Sequence, residues 1–269
     1  MHLLCRGAGR PTVVLEGGIG EPALTWTAVQ GALAPRVRIC AYDRAGYGWS
    51  APGPSPRTAG RITTELRALL ERAGLEGPYV LVGHSFGGLV AQLFARRYPA
   101  LTAGLVLVDS AHPGQVERYR AALGVDIAPR RRRGLAWLTI PPPAEELSPK
   151  LRASIHDLMS VPKARRAVAE ELLNFSASTA EVRGAPRPPP IPIVVLSRGA
   201  RPPSEDRRAE RLWQTLQAEL ASLSPRARRV VAARSGHDIQ LAQPALVTEA
   251  VLEVARATHP PCTTLAYAP

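Results

Sequence analysis

One stretch decides the fold of this chain: YVLVGHSFGGLV, at residues 79–90. Its apolar first half predicts a buried strand, and apolar residues then recur at helical spacing over 89–94. Between the two lies G-x-S-x-G at 83–87, whose glycines permit a sharp, strained turn that would expose the hydroxyl of Ser85. The pattern predicts a nucleophile elbow. The alternative is that these glycines only make a tight strand-to-helix turn.

Short apolar strands alternate with amphipathic helices over most of the chain. This alternation predicts an α/β fold, with a mostly parallel sheet and helices on both faces. Strands are predicted at 2–5, 12–15, 37–42, 79–82, 105–108, 191–196 and 229–233. Helices are predicted at 25–33, 58–73, 86–98, 204–222 with Ser204 as its N-cap, and 244–256.

The alternation is interrupted between residues 111 and 190. Helical patterns at about 115–123, 149–159 and 162–177 occupy this portion, and the stiff proline-rich linker 186–190 ends it. We therefore predict one core domain, formed by residues 1–110 and 191–269, with a helical insertion at 111–190.

The net charge of +12 raises the question of an anionic partner. Basic residues are densest at 130–133, which could attract nucleic acid or an anionic membrane surface. No aromatic residues interleave with this run and no nucleic-acid-binding module accompanies it, so a solvated face is favoured. We do not expect nucleic acid as a partner.

The three cysteines, Cys5, Cys40 and Cys262, are an odd number without metal-ligand spacing. They argue against a disulfide framework or a zinc site and favour a reducing compartment. No apolar stretch reaches the roughly 18 residues that span a bilayer, and residues 1–5 are too short for a signal peptide. We predict a cytoplasmic protein without stable membrane insertion, and leave open an additional N-terminal segment in the native gene product.

Four landmarks occur in a characteristic order. They are a glycine loop at 16–20, D-R-x-G-x-G-x-S at 43–50, the elbow at Ser85, and His237 after the last predicted strand. With these the chain resembles the α/β-hydrolase fold family over nearly its whole length apart from the insertion. The resemblance implies a serine hydrolase in which residues 111–190 form a helical cap over the site.

A serine hydroxyl becomes a good nucleophile when a neighbouring imidazole takes its proton. We expect His237 to be that base for Ser85, and Asp109, directly after a buried strand, to orient it. Relatives place the acid there or after the next sheet strand, where residues 196–203 contain no carboxylate. Asp206 or Glu205, in a predicted first helical turn, and an incomplete triad are the alternatives.

An oxyanion formed at Ser85 needs two N–H donors. The Phe86 N–H, at the N-terminus of the helix after the elbow, is one candidate. By position in the resembling loop, the Gly18 N–H is the second, with Ile19 as the next choice. The family often has histidine where this chain has Glu16, which leaves the conformation of the loop open.

Several other polar residues near these motifs have structural interpretations. Asp43 and Arg44 are expected to brace neighbouring backbone, and His84 to pack beside the nucleophile. Asp238 adjoins His237 in sequence, but adjacent side chains rarely aim at one another as a triad requires.

Apolar residues of the insertion could line a substrate pocket or serve the insertion's own core. The candidates are Trp137, Leu138, Ile155, Met159 and Phe175.

The sequence predicts hydrolysis of a small or medium ester, thioester or related acyl compound through an acyl-enzyme on Ser85, without metal or organic cofactor. Serine at the elbow argues against dehalogenase and epoxide hydrolase relatives, which use aspartate there. An iminopeptidase is disfavoured because residues 16–20 lack its H-G-G-P-G pattern. A carbon–carbon bond hydrolase and a non-catalytic ligand-binding receptor on the same scaffold remain alternatives. The substrate and the oligomeric state are left open.

Overall fold

The computed structural model describes residues 1–127, 146–201 and 206–258. Their strands form one seven-stranded sheet in the order β1-β3-β2-β4-β5-β6-β7. Only the β1–β3 pair is antiparallel, so the predicted mostly parallel sheet is confirmed. The strands are β1 Leu3–Arg6, β2 Val13–Glu16, β3 Ile39–Tyr42, β4 Tyr79–His84, β5 Thr102–Val108, β6 Ile193–Arg198 and β7 Ala227–Ala232.

Helices cover both faces of the sheet because alternate residues of its central strands are buried on opposite sides. Val80 and Val82 of β4 pack in the core under α1 and α10, whereas Leu81 packs under α2, α3 and α8. In chain order the helices are α1 Thr27–Leu33, α2 Ala59–Arg72, α3 Phe86–Arg97, α4 Gln115–Leu123, α5 Pro149–Ser160, α6 Pro162–Leu173, α7 Phe175–Gly184, α8 Arg207–Leu220, α9 Ile239–Ala242 and α10 Pro244–Ala257.

Helices α4 to α7 lie between β5 and β6, where the sequence predicts a helical insertion. The single helix predicted at 162–177 is wrong, because α6 ends at Leu173 and α7 begins at Phe175. Asn174 separates them: its side-chain amide donates to the carbonyl of Glu170 at 2.7 Å, a local bond that competes with helix continuation. Whether this insertion acts as a cap stays a prediction.

The start of α8 also differs from the prediction. The helix begins at Arg207, and the side chain of Asp206 caps it by accepting from the Arg208 N–H. An aspartate in that position satisfies a free helical N–H and complements the helix dipole. Ser204, the predicted N-cap, lies outside the described residues.

Cys5 and Cys40 form a disulfide. The antiparallel register of β1 and β3 places them directly opposite one another, although 35 positions separate them in sequence. The argument from the odd cysteine count against a disulfide framework is therefore wrong for this pair, and the prediction of a reducing, cytoplasmic compartment loses that support. Cys262 and the basic run 130–133 lie outside the described residues. Within the described ranges, every helix is too short or too polar to cross a bilayer.

Candidate active site

Ser85 and Asp109 emerge side by side at the carboxyl edge of the sheet, where sites of open α/β sheets form. Their neighbours His84 and Val108 are register partners at the ends of β4 and β5. The Ser85 N–H donates to the Val108 carbonyl at 3.1 Å, and the Asp109 N–H donates to the Leu196 carbonyl of β6 at 2.7 Å. These bonds hold the ends of three adjacent strands together beneath the serine.

The turn at Ser85 is strained. Its φ of 50° and ψ of −120° are unusual for a residue with a side chain. The flanking glycines make room for it: a Cβ on Gly83 would lie 2.5 Å from the Gly87 carbonyl oxygen, and one on Gly87 would lie 2.5 Å from the carbonyl oxygens of Glu16 and Gly17. Glycine at both positions therefore lets the chain adopt this strained conformation, which places Ser85 at the N-terminus of α3.

His237 hydrogen-bonds to Asp109. Its Nδ1 lies 2.7 Å from Asp109 Oδ2, while Asp109 Oδ1 accepts from the Arg198 N–H at 3.0 Å and from Trp213 Nε1 at 2.9 Å. Burial alone would raise the pKa of Asp109, but its hydrogen bond to His237, the charge of that ring, and the Arg198 and Trp213 donors lower it below its ordinary value. Asp109 is therefore an ionised acceptor that favours a proton on His237 Nδ1 and a lone pair on Nε2.

The other acids considered for this role have different contacts. Asp206 caps α8, and Asp238 lies 3.8 Å from His84 Nε2. Glu205 lies outside the described residues. Among the acids that the structure describes, Asp109 is the one whose carboxylate hydrogen-bonds to the His237 ring. Sequence reasoning missed Trp213, since one aromatic residue in a helical pattern looks like any core residue.

Arg44 orients the glycine loop at residues 16–20. Its guanidinium donates to the carbonyls of Gly17 and Gly18, each at 2.6 Å. Because the N–H of a trans peptide points opposite to its carbonyl, the N–H groups of Gly18 and Ile19 point away from Arg44. The Gly18 N–H donates to Glu21 Oε2 at 2.6 Å.

This bond corrects the expectation for Gly18: its N–H already has an acceptor, because the Glu21 side chain folds back onto the loop. Neither Ile19 N–H nor Phe86 N–H has an acceptor in the described part of the chain. Of the two choices in the glycine loop, Ile19 is thus the one whose N–H lacks an acceptor among the described residues.

Arg44 also forms a buried ion-pair network. It donates to Glu16 at 2.6 Å and to both carboxylate oxygens of Glu171 in α6 at 2.9 Å, and the Tyr47 hydroxyl donates to Glu171 at 2.6 Å. Burial raises the pKa of Glu16, against the opposing influence of Arg44 and of a hydrogen bond from Tyr42. The bracing role expected for Arg44 thus extends to the insertion through Glu171, which sequence reasoning did not single out.

Asp43 braces backbone as well. Its Oδ1 accepts from the Ala23 N–H at 2.8 Å, and its Oδ2 accepts from the Trp49 N–H at 3.2 Å and lies 2.9 Å from His2 Nδ1. These contacts tie the loop after β3 to the segment that follows the glycine loop.

A second carboxylate–histidine pair is formed by Glu21 and His84, the residue before Ser85. His84 Nδ1 is 2.8 Å from Glu21 Oε2, and His84 Nε2 is 3.0 Å from the carbonyl oxygen of His237. Ligand atoms of Glu21, His84 and Asp238 lie within 4.8 Å of one another, the kind of grouping that can hold a metal ion. His84 Nε2 faces a carbonyl oxygen and carries a proton, while the Gln240 side-chain nitrogen lies 3.2 Å from Nδ1 beside the Glu21 carboxylate, so the ring is surrounded by hydrogen-bonding partners and we assign no metal to this group.

The residues predicted to line a pocket are in different places. The Phe175 ring lies 6.1 Å from the ring of Phe86, next to the elbow. Met159 is buried with Ile155 and Tyr47 in a cluster that Ile19 also packs against, so it lies where the insertion meets the core domain. Trp137 and Leu138 lie outside the described residues.

Comparisons with known proteins agree with this architecture. The sequence model of the alpha/beta hydrolase family matches residues 6–250. Protein YqjL of Bacillus subtilis (strain 168) is 30% identical over 251 residues, which cover 93% of this chain and 85% of YqjL.

Solved structures are similar over nearly the whole chain. An esterase from Thermogutta terrifontis matches with a TM-score of 0.71 and 26% identity, covering 96% of this chain and 94% of the esterase. The enol-lactonase from Burkholderia xenovorans LB400 matches with a TM-score of 0.68 and 22% identity, covering 94% and 95% of the two chains. At that lower identity the likeness concerns the fold alone.

Proposed function

This chain belongs to the alpha/beta hydrolase family, and on that premise we propose that it is a serine hydrolase acting on a small or medium ester, thioester or related acyl compound. The observation that carries the proposal is the 2.7 Å hydrogen bond between Asp109 and His237, at the sheet edge that also carries the strained Ser85. The 26% identity to an esterase supports ester hydrolysis in particular.

The proposed reaction begins with proton transfer from Ser85 Oγ to His237 Nε2. Neither atom hydrogen-bonds to a described residue, so both are available, and such contacts often tighten only when substrate binds. Ser85 Oγ then attacks the acyl carbon, and the oxyanion accepts hydrogen bonds from the Phe86 and Ile19 N–H groups. His237 returns the proton to the leaving group, which departs and leaves an acyl group on Ser85.

Hydrolysis of the acyl-enzyme uses the same groups in reverse. His237 takes a proton from water, the hydroxide adds to the acyl carbon, and collapse of the second tetrahedral intermediate returns the proton to Ser85 Oγ. Asp109 stabilises the imidazolium in both halves. The Phe175 ring, beside Phe86, is the described residue that we assign to the acyl pocket.

The test combines active-site labelling with turnover. We expect a fluorophosphonate probe to modify Ser85, as located by peptide mass spectrometry, and p-nitrophenyl esters of increasing acyl length to be hydrolysed. Ser85→Ala should abolish both, since removal of such a nucleophile costs about 10⁶ in kcat, and should keep the wild-type circular dichroism spectrum. Ser222→Ala, at an exposed serine, is the matched control.

Folded wild-type protein that neither reacts with the probe nor hydrolyses any ester would contradict the proposal. That result would favour the ligand-binding alternative. Labelling of Ser85 without ester turnover would instead direct the search to iminopeptidase or carbon–carbon bond substrates.

A further inference from the structure

The ring of His84, the residue before Ser85, has a hydrogen-bond acceptor next to each of its nitrogens. Its side chain is only 1% exposed, with Nδ1 2.8 Å from the Glu21 carboxylate and Nε2 3.0 Å from the His237 carbonyl oxygen. The carbonyl oxygen and the carboxylate are acceptors, so the ring donates from Nε2 and, at its shortest contact, from Nδ1. The Gln240 side-chain nitrogen lies farther from Nδ1, at 3.2 Å. The geometry therefore favours an imidazolium that forms a buried ion pair with Glu21.

The ion pair connects two separate loops of the site. On one side, Glu21 Oε2 accepts from the Gly18 N–H at 2.6 Å, within the glycine loop. On the other side, His84 Nε2 donates to the backbone of His237, the proposed base. A Cβ on Gly18 would lie 3.1 Å from His84 Nδ1, so glycine at this position lets the loop approach the pair closely.

The charges around the pair support its ionised form. Asp238 lies 3.8 Å from His84 Nε2, and Asp109 attracts the imidazolium from the end of β5. The His237 ring, whose centroid lies 4.6 Å from that of His84, adds no such attraction. Burial lowers the pKa of His84, but the Glu21 carboxylate outweighs burial and raises it to about 9. Burial likewise raises the pKa of Glu21, and His84 lowers it overall.

We propose that Glu21 and His84 are positioning residues, whose ion pair fixes the glycine loop and the His237 loop relative to each other around Ser85. The Glu21 carboxylate holds the Gly18 peptide from one side while Arg44 holds the carbonyls of Gly17 and Gly18 from the other. The next N–H, that of Ile19, is thereby aimed as an oxyanion donor. This inference rests on the proposed function and adds a second pair to its machinery.

The first test is kinetic. Glu21→Gln keeps the shape of the side chain but removes its charge, and we expect kcat to fall about 10- to 100-fold, the scale that small misplacements of reacting groups cost. KM should stay within about twofold, since the oxyanion forms only after substrate has bound. The matched control is Glu219→Gln: Glu219 lies 3.6 Å from His112 in another glutamate–histidine pair, and its loss should leave kcat unchanged.

The second test does not depend on turnover. Nitrogen-15 NMR of the histidine side chains, in the Ser85→Ala background, should show protons on both ring nitrogens of His84 at pH 7. In Glu21→Gln this double protonation should be lost, because the carboxylate that stabilises it is gone. Glu21→Asp keeps the negative charge on a side chain that is one methylene shorter. We therefore expect His84 to stay doubly protonated and kcat to fall less than in Glu21→Gln.

The outcomes separate this inference from the proposed function. A neutral His84 at pH 7, or wild-type kcat in a folded Glu21→Gln enzyme, would overturn the ion-pair proposal while leaving Ser85 labelling intact. Absence of labelling in wild-type protein would overturn the serine hydrolase proposal, whatever the protonation of His84. If Glu21→Gln does not fold, the protonation of His84 and kcat are measured in Glu21→Asp instead, and these two measurements decide the ion-pair proposal.

Discussion

Two histidine–carboxylate pairs lie next to each other in this protein, and their contacts suit them to opposite tasks. In the pair of His237 and Asp109, the histidine side chain is 37% exposed and Nε2 has no hydrogen-bond partner among the described residues. In the pair of His84 and Glu21, the ring is buried, Nδ1 contacts the Glu21 carboxylate at 2.8 Å and the Gln240 amide at 3.2 Å, and Nε2 donates to the His237 carbonyl oxygen. An imidazole accepts a proton only through a free lone pair, so His237 can serve as a base and His84 cannot.

A third pair shows that a nearby glutamate does not by itself charge a histidine. His112 Nε2 lies 3.6 Å from Glu219, whose side chain is 40% exposed. Burial dominates there and lowers the pKa of His112 to about 4, in spite of the attraction of Glu219. Glu21 makes a shorter contact than Glu219 and is itself shielded from water, so that its charge is less screened. His112 in addition accepts from the Gly114 N–H at Nδ1, and Arg118, Arg96 and Arg183 lower its pKa further.

The largest effect should come from disrupting the first pair. Asp109→Asn places an amide against His237 Nδ1 and favours the wrong imidazole tautomer, so we expect kcat to fall by up to roughly 10⁴-fold. Steady-state kinetics on the best ester of the panel measures this loss. Asp206→Asn is the matched control, since Asp206 caps α8, and the activity of this variant per folded molecule should be unchanged. A loss of activity in Asp206→Asn, with wild-type activity in Asp109→Asn, would instead assign the role of the acid to Asp206.

The second pair, His84 and Glu21, should make the free energy of unfolding depend on pH. The pKa of His84 is raised from its ordinary 6.5 to about 9 in the folded protein. Its contribution is therefore fully present below about pH 6.5 and is lost as the pH rises through about 9. We expect the free energy of unfolding to fall on the order of 3 kcal/mol more in wild type than in Glu21→Gln over this window. Urea titrations at pH 6 and 10 test it, and parallel slopes in the two proteins would count against an ion pair.

The smallest effect should come from removing the hydrogen bond that Trp213 donates to Asp109, the acid of the first pair. Trp213→Phe removes one donor to Asp109 Oδ1 and keeps the aromatic ring, so we expect roughly tenfold lower kcat from the loss of one hydrogen bond to a charged group. Trp49→Phe is the control, because the Trp49 side chain is exposed. An unchanged kcat in Trp213→Phe would show that the Arg198 N–H and His237 suffice to hold Asp109.

Most of the fold could be predicted from the sequence because its signals are local. The apolar strands, the interruption after β5 and the glycines around Ser85 each lie within a few neighbouring residues. The predicted helix boundaries were wrong where one side chain forms a hydrogen bond that the apolar pattern does not reveal. Asn174 divided a continuous helical pattern into α6 and α7, and Asp206 took the N-cap of α8.

Within the site, the sequence by itself determined the strained serine and the order of the landmarks, since the G-x-S-x-G turn is a local motif. The steric need for glycine at 83 also comes from residues of the same turn, whereas that at 87 comes from the carbonyls of Glu16 and Gly17. Only the tertiary structure decided which acid contacts His237, because 128 positions separate Asp109 from it. It also decided the charge of His84, whose two acceptors come from two other loops. Protonation and hydrogen bonding depend on what the fold brings within about 3 Å, and no local pattern contains that information.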